Sequence, residues 1–261
     1  MNFKSKISTK CSLRETIKVI TSALRDHPNG MQWFRESQFG HLFSVGEDID
    51  TSLMPLWMLR CREVITGKRK EIWFMLNGVP IRYSLMEHAL ISGLNCAPYP
   101  NGWDTLGSDD FRDRHFSENK KITIKDVKHR LERMVIPTEA GSSNRRNRAN
   151  SNRERERAVF IEDKLRMAVL YFLCSVLMSN EKDETNIDEK CLAIVDNLDA
   201  CRAFPWGRRS FNYVLAHVEK LDLLKKSANV FVKEKGMQGW GCPGFILPLM
   251  VRPILKCKFY L

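Results

Sequence analysis

The sequence predicts a mainly α-helical fold with a small β-hairpin, α+β only in a minor sense, and three observations carry that reading. Apolar residues recur at helical spacing through most of the chain, as in Leu13, Ile17, Ile20 and Leu24. Met167 to Met178 is apolar almost all round and reads as a central buried helix, too short for a bilayer, which takes about 20 residues. Alternation around a turn signal marks Glu71 to Tyr83, centred on Asn77-Gly78.

Taken in order, Ser12-Leu13-Arg14-Glu15 is a capping-box pattern that opens the first helix, and His27-Pro28-Asn29-Gly30 stops it. The aromatic stretch from Met31 to Val45, with Gly40 near its end, predicts a short helix and a bend, and Ser52 to Val64 predicts another helix with Pro55 in its first turn. In the hairpin, Ile72, Phe74 and Leu76 alternate with Trp73 and Met75, and Pro80 confines the returning strand to an edge because it cannot donate to a ladder. Ser84 and Glu87 form a second capping box for a helix whose expected apolar face is Leu85, Ala89, Leu90 and Leu94, closed by Gly93. Asn95 to Ser108, rich in Pro, Gly and Asn, reads as a surface loop.

Thr123 caps a helix running to about Met134, with Ile124, Val127, Leu131 and Met134 on one side, and Pro137 ends it. Gly141 to Arg157 holds no apolar residue except Ala149, so it cannot bury surface to offset its ordering entropy and is expected to be a basic linker, disordered or weakly helical. Ala158 to Ser179 is the most hydrophobic helix, and two more are expected near Asp188 to Leu198 and Arg208 to Leu224. The expected organisation is residues 1–140 with a hairpin-helix unit at 71–100, the linker 141–157, and residues 158–261 packing on the first part as one domain.

The net charge of +11 bears on partners, since residues 141–157 alone carry six arginines against two glutamates. Such a concentration suits nucleic acid or an import receptor. Candidate contacts are Lys68, Arg69 and Lys70 before the hairpin and Arg145, Arg146, Arg148 and Arg153 in the basic run. A charged hairpin approach, a solvated linker, an import signal and phosphate contact all remain open readings of these residues. No aromatic residue interleaves with either run, so base stacking is not encoded there.

Catalytic chemistry is not expected. No GxSxG, phosphate-binding GxxxxGK[ST], GxGxxG or HExxH pattern occurs. The histidines, among them His41, His88, His115, His129 and His217, are dispersed and read as structural or solvent-facing; Glu87 reads as a cap rather than a base. The eight cysteines never fall at CxxC spacing and read as free thiols in a reducing compartment, so no metal or cofactor is expected. The N-terminus has basic residues without a following apolar region, which predicts an intracellular rather than secreted chain.

Several blocks together resemble one plant family, the domain of unknown function that precedes SUMO-protease-like (ubiquitin-like-protein-specific cysteine protease) domains in many transposon-derived proteins. They are WFRESQFGHLFSV from Trp33, EIWFMLNGVPIRYSLMEHALISGLNCAPYP from Glu71, EDKLRMAVLYFLCSVLMS from Glu162 and FPWGRRSF from Phe204. The resemblance implies a non-catalytic, protein-binding module acting in the nucleus, with DNA binding as the alternative and an accessory fragment of a SUMO-specific protease as another. The protease domain, with its own His, Asp and Cys, is expected to be absent here, so no catalytic residue carries over and Cys96 is not its nucleophile. The Arg-rich segment is a departure resembling a variable spacer, and FILPLMVRPILKCKFYL after Gly244 diverges from the family's usual continuation.

Overall fold

Helices dominate the computed structural model, which describes residues 6–9, 13–45, 62–63, 70–76, 79–136, 148–180, 184–227, 239–242, 244–245 and 248. The helix α1 (Leu13–Ala23) buries Leu13, Ile17 and Ile20, and Leu24 just beyond it, which is the face the spacing predicts. α2 (Gly30–Glu36) and α3 (Gly40–Val45) follow as a short pair with a bend between them. The expected helix from Ser52 lies mostly outside the described residues, and its last part is corrected: Arg62–Glu63 is a strand, β2, following the N-terminal strand β1 (Lys6–Thr9).

β3 (Glu71–Leu76) pairs antiparallel with β2 on one side and with β4 (Val79–Ser84) on the other. The pairing Leu76↔Val79 leaves two residues for the turn, as Asn77-Gly78 predicts, although those two lie outside the described residues. β4 is an edge strand, and Pro80 sits in it opposite Met75.

The next helix, α4 (Leu85–Ser92), has both halves of the capping box: the Glu87 carboxylate accepts from the Ser84 N–H at 2.7 Å, and the Met86 N–H donates to Ser84 Oγ. Gly93 closes it at φ 65 with its N–H on the Ala89 carbonyl. Its inward face corrects the sequence reading. Glu87, His88 and Ser92 are buried while Leu90 is 78% exposed and Met86 64% exposed. The helix is short, and its rotation is fixed by polar anchors rather than by an apolar stripe: Arg82 holds Glu87 at 2.9 Å and Ser210 holds His88.

The expected loop after Asn95 carries a 3₁₀ turn at Trp103–Thr105, with Tyr99 stacked on Trp103 at 4.4 Å and both rings packed near Phe204, and it leads into a helix the sequence reading did not place, α5 (Asp110–Phe116). α6 (Ile124–Arg133) has the Thr123 cap, completed by Asp126, and buries Val127 and Leu131. Then α7 starts at Arg148, so residues 148–157 of the expected linker are helical, while residues 141–147 lie outside the described residues. Helix once nucleated propagates at low cost, and the apolar half of α7 supplies that nucleus.

α7 (Arg148–Phe172), ending in a π-helical turn at Leu173–Leu177, is the core axis: every residue from Met167 to Ser179 is buried. Phe34, Phe39 and Phe43 converge on Phe172 with ring centroids 5.0–5.9 Å away. α1 and α6 pack along α7. The expected helix at Asp188 to Leu198 is two, α8 (Glu189–Ile194) and α9 (Leu198–Ala203), because Asn197 caps the second with its side chain on the Asp199 and Ala200 N–H groups. α10 (Trp206–Ser227) buries Phe211, Val214 and Leu215 as expected. β5 (Gly239–Cys242) pairs parallel with β1.

α10 docks on the hairpin-helix unit at Gly207. Its N–H donates to the Asn95 carbonyl at 2.9 Å, and Arg208 reaches the Cys96 and Ala97 carbonyls. A Cβ at Gly207 would lie 2.5 Å from Cys96 Sγ and 2.9 Å from both Asn95 O and Leu94 Cβ. Gly207→Ala is therefore expected to cost about 2 kcal/mol in urea denaturation, as overpacking does; an unchanged midpoint would show that the contact can open freely.

Candidate interaction site

Tyr83, His88 and Ser210 form one buried chain, all at most 1% exposed. Burial holds the Tyr83 hydroxyl well above its ordinary pKa, so it stays protonated and donates to His88 Nδ1 at 2.6 Å. His88 Nε2–H then donates to Ser210 Oγ at 2.9 Å, and Ser210 donates to the Gly207 carbonyl. Burial pushes the imidazole down to about 4, which keeps it neutral and consistent with this single direction of donation. Both ring nitrogens are occupied, so the chain ties β4 and α4 to α10 and leaves nothing to act as a base.

Cys96 is equally unsuited to chemistry. It is half-buried, and burial raises its thiol to about 11 although the Arg208 guanidinium pulls the other way. A thiol held there is not a thiolate at neutral pH. Cys174, Cys191 and Cys201 are buried free thiols, and among the described residues no group of His, Cys, Asp and Glu could hold a metal ion.

Asp163 anchors a second network. Burial by itself would raise its pKa, but hydrogen bonds from His115, Arg114 and Arg166 outweigh that and hold the carboxyl far below the usual carboxylate range. Arg114 grips it in a two-bond fork at 2.8 and 2.9 Å, His115 Nε2 lies at 2.8 Å and Arg166 Nη1 at 2.8 Å. Arg166 continues to the Asp196 carbonyl, whose carboxylate accepts from Ser108.

Beside that network a basic cleft opens between α5, α6 and α7, with a volume of about 600 Å³. Phe116, Met134 and Phe160 supply its apolar wall, and Arg114, His115, His129, Arg130 and Arg133 its polar rim. Arg114 is spent on Asp163, and Arg130 donates one N–H to the His115 carbonyl, but neither Arg130 nor Arg133 has a carboxylate partner among the described residues. The cleft's carboxylate, Asp126, is engaged in capping α6. The rim therefore carries uncompensated positive charge over an apolar floor.

The sequence candidates relate to this cleft unevenly. Arg153 is exposed on α7, and Arg153, Arg157 and Phe160 share one helix face, which places Arg153 about 10 Å along the axis from the cleft's Phe160. Arg148 begins the same helix. Lys70 is exposed at φ 76 just before β3 and does not line the cleft. Lys68, Arg69, Arg145 and Arg146 lie outside the described residues. The sequence reading missed Arg130 and Arg133, although basic residues flanking and opposite the buried Val127 and Leu131 of α6 are the signal that would have found them.

Comparison with known proteins places these features in a family setting. Residues 60–217 match a family model described as a domain of unknown function, DUF1985. An uncharacterized protein of Arabidopsis thaliana is 23% identical over 223 residues, covering 85% of this chain. The chain spans about a quarter of that relative's length. No solved structure matches. No helix among the described residues is long and apolar enough to cross a membrane.

Proposed function

Because this chain belongs to the family of the domain of unknown function DUF1985, we propose that it is a non-catalytic interaction module of a plant-type protein, and that its α5–α6–α7 cleft receives an acidic, apolar stretch of a partner protein. The observation that carries this is the pairing of Arg130 and Arg133, free of carboxylate partners among the described residues, with a floor of Phe116, Met134 and Phe160. A phosphate backbone would use the charge and leave that floor empty, whereas a peptide bearing Glu or Asp beside large apolar residues uses both. Nuclear location and service beside a ubiquitin-like-protein-specific protease are further parts of the proposal, supported by the four sequence blocks. The chain's match to about a quarter of its relative fits a module within a longer protein.

The test is fluorescence anisotropy with a short labelled peptide alternating Glu with Phe and Leu. Charge reversal at both positions, Arg130→Glu with Arg133→Glu, is expected to weaken binding at least roughly tenfold, about 1.4 kcal/mol. Equal affinity in that variant overturns the reading. A second reading, duplex DNA along α7, draws on the exposed Arg153 and the helical start at Arg148. It expects duplex affinity to fall steeply with salt and to weaken on Arg148→Ala with Arg153→Ala; a flat salt response sinks it.

A further inference from the structure

The helix α6 divides its cations into two sets. Lys125 lies 3.4 Å from Glu184 and Lys128 lies 3.9 Å from Glu132, and neither lysine lines the basic cleft. Arg130 and Arg133 form the other set: both are exposed, both line the cleft, and neither has a carboxylate partner among the described residues. Arg130 is also positioned, because one terminal N–H donates to the His115 carbonyl at 2.8 Å and holds the guanidinium against the end of α5. Its other nitrogens make no hydrogen bond among the described residues and remain for a ligand.

A spacing of three residues sets the two arginines on neighbouring helical turns, roughly 5–6 Å apart at Cβ. Both positive charges therefore act on one small region of the rim. Two carboxylates placed side by side there would repel each other over the same few ångströms. A single phosphoryl group brings about −1.5 to −2 in charge and three acceptor oxygens, enough to engage both guanidinium groups at once. Asp126, the carboxylate that lines the cleft, accepts from the Thr123 N–H at 2.8 Å and from the Thr123 hydroxyl at 2.7 Å, so its charge is spent on the cap of α6.

We propose, resting on the acidic-peptide reading of this cleft, that the acidic group it receives is a phosphorylated Ser or Thr of the partner, seated between Arg130 and Arg133 with apolar neighbours on Phe116, Met134 and Phe160. Charge complementarity selects the headgroup, since two unpaired cations one turn apart match one dianion. The apolar floor selects a peptide as its carrier, because free phosphate has nothing to place there.

Three labelled peptides that differ at one position, with Ser, Glu or phosphoserine between Phe and Leu, are compared on the whole chain by fluorescence anisotropy. The phosphoserine peptide is expected to bind at least roughly tenfold more tightly than the Glu peptide, and the Ser peptide most weakly. Arg133→Gln, an exposed change that needs no repacking, should bring the phosphoserine peptide to within about threefold of the Glu peptide. Lys128→Gln removes the same charge from the paired set of α6 and should leave the preference as it was. Inorganic phosphate in roughly hundredfold excess over the peptide should not displace it, since it lacks the apolar contacts. Equal affinity of the phosphoserine and Glu peptides, a preference that survives Arg133→Gln, an equal loss in Lys128→Gln, or displacement by inorganic phosphate overturns the proposal and leaves the acidic-peptide reading standing. Failure of all three peptides to bind overturns both.

Discussion

Acidification from pH 6.5 to pH 4 is expected to remove about 3 kcal/mol of stability through His88 alone. The sign follows from where the proton binds: burial lowers the folded-state value to about 4 from 6.5, so the unfolded chain takes up the proton first. The contribution is complete above pH 6.5 and is lost as the pH falls towards 4. Protonation would set a second N–H against the Tyr83 hydroxyl, whose own proton already points at Nδ1. His88→Gln keeps an acceptor and a donor near the two ring positions and cannot titrate. Urea denaturation of both proteins across this range should therefore give curves that diverge by about 3 kcal/mol at the acid end. Parallel curves would mean that His88 is solvated rather than locked in the core.

Asp163→Ala is expected to cost about 3 kcal/mol, because it removes the acceptor shared by Arg114, His115 and Arg166 and leaves Arg114 only Asp196 at 3.6 Å and Arg166 only Glu162 and the Asp196 carbonyl. The geometry is favourable enough to outweigh the desolvation of a carboxylate only 3% exposed. Asp163→Asn, which keeps the shape and part of the hydrogen bonding, should lose less. The pH window also differs from that of His88. The Asp163 carboxyl is held below its ordinary 3.8, so its contribution is present above that value and is lost only as the pH falls below it. Denaturation midpoints at neutral pH for both variants check the ordering, and a loss under about 1 kcal/mol for Asp163→Ala would show that Arg114 and Arg166 find water or their remaining partners instead.

Local signals were legible where a short stretch of chain decides the outcome by itself. The Ser84–Glu87 box, the Gly93 closure, the Thr123 cap and the edge position of Pro80 each depend on residues within about one turn of one another. The same holds for the all-apolar stretch that became the core axis. The rotation of α4 was not legible, because a polar residue such as His88 counts as outward-facing until Ser210, 122 residues away, provides its partner. α5 escaped for a related reason: its buried residues are Phe111 and Phe116 amid five polar ones, too few for a periodic pattern. The candidate site was half visible. Arg153 was named from the charge run, whereas Arg130 and Arg133 matter because α5 and α7 close a wall around them.

The sequence by itself determined the helical class, the hairpin and its edge strand, the caps, and three of the four blocks, those from Glu71, Glu162 and Phe204, which fall within the residues that match the DUF1985 family. Those properties follow from backbone preferences and apolar periodicity, which act over a few residues. Tertiary structure alone decided what the blocks are for as a fold. FPWGRRSF meets the hairpin-helix block through Gly207 on Asn95, Ser210 on His88 and Phe211 on Tyr83, and Gln38 of the first block bonds to the Arg202 and Phe204 carbonyls. It likewise decided which cations were spent and which were left, since pairing a charge depends on distance in space, and Asp163 lies 49 residues from the Arg114 it neutralises.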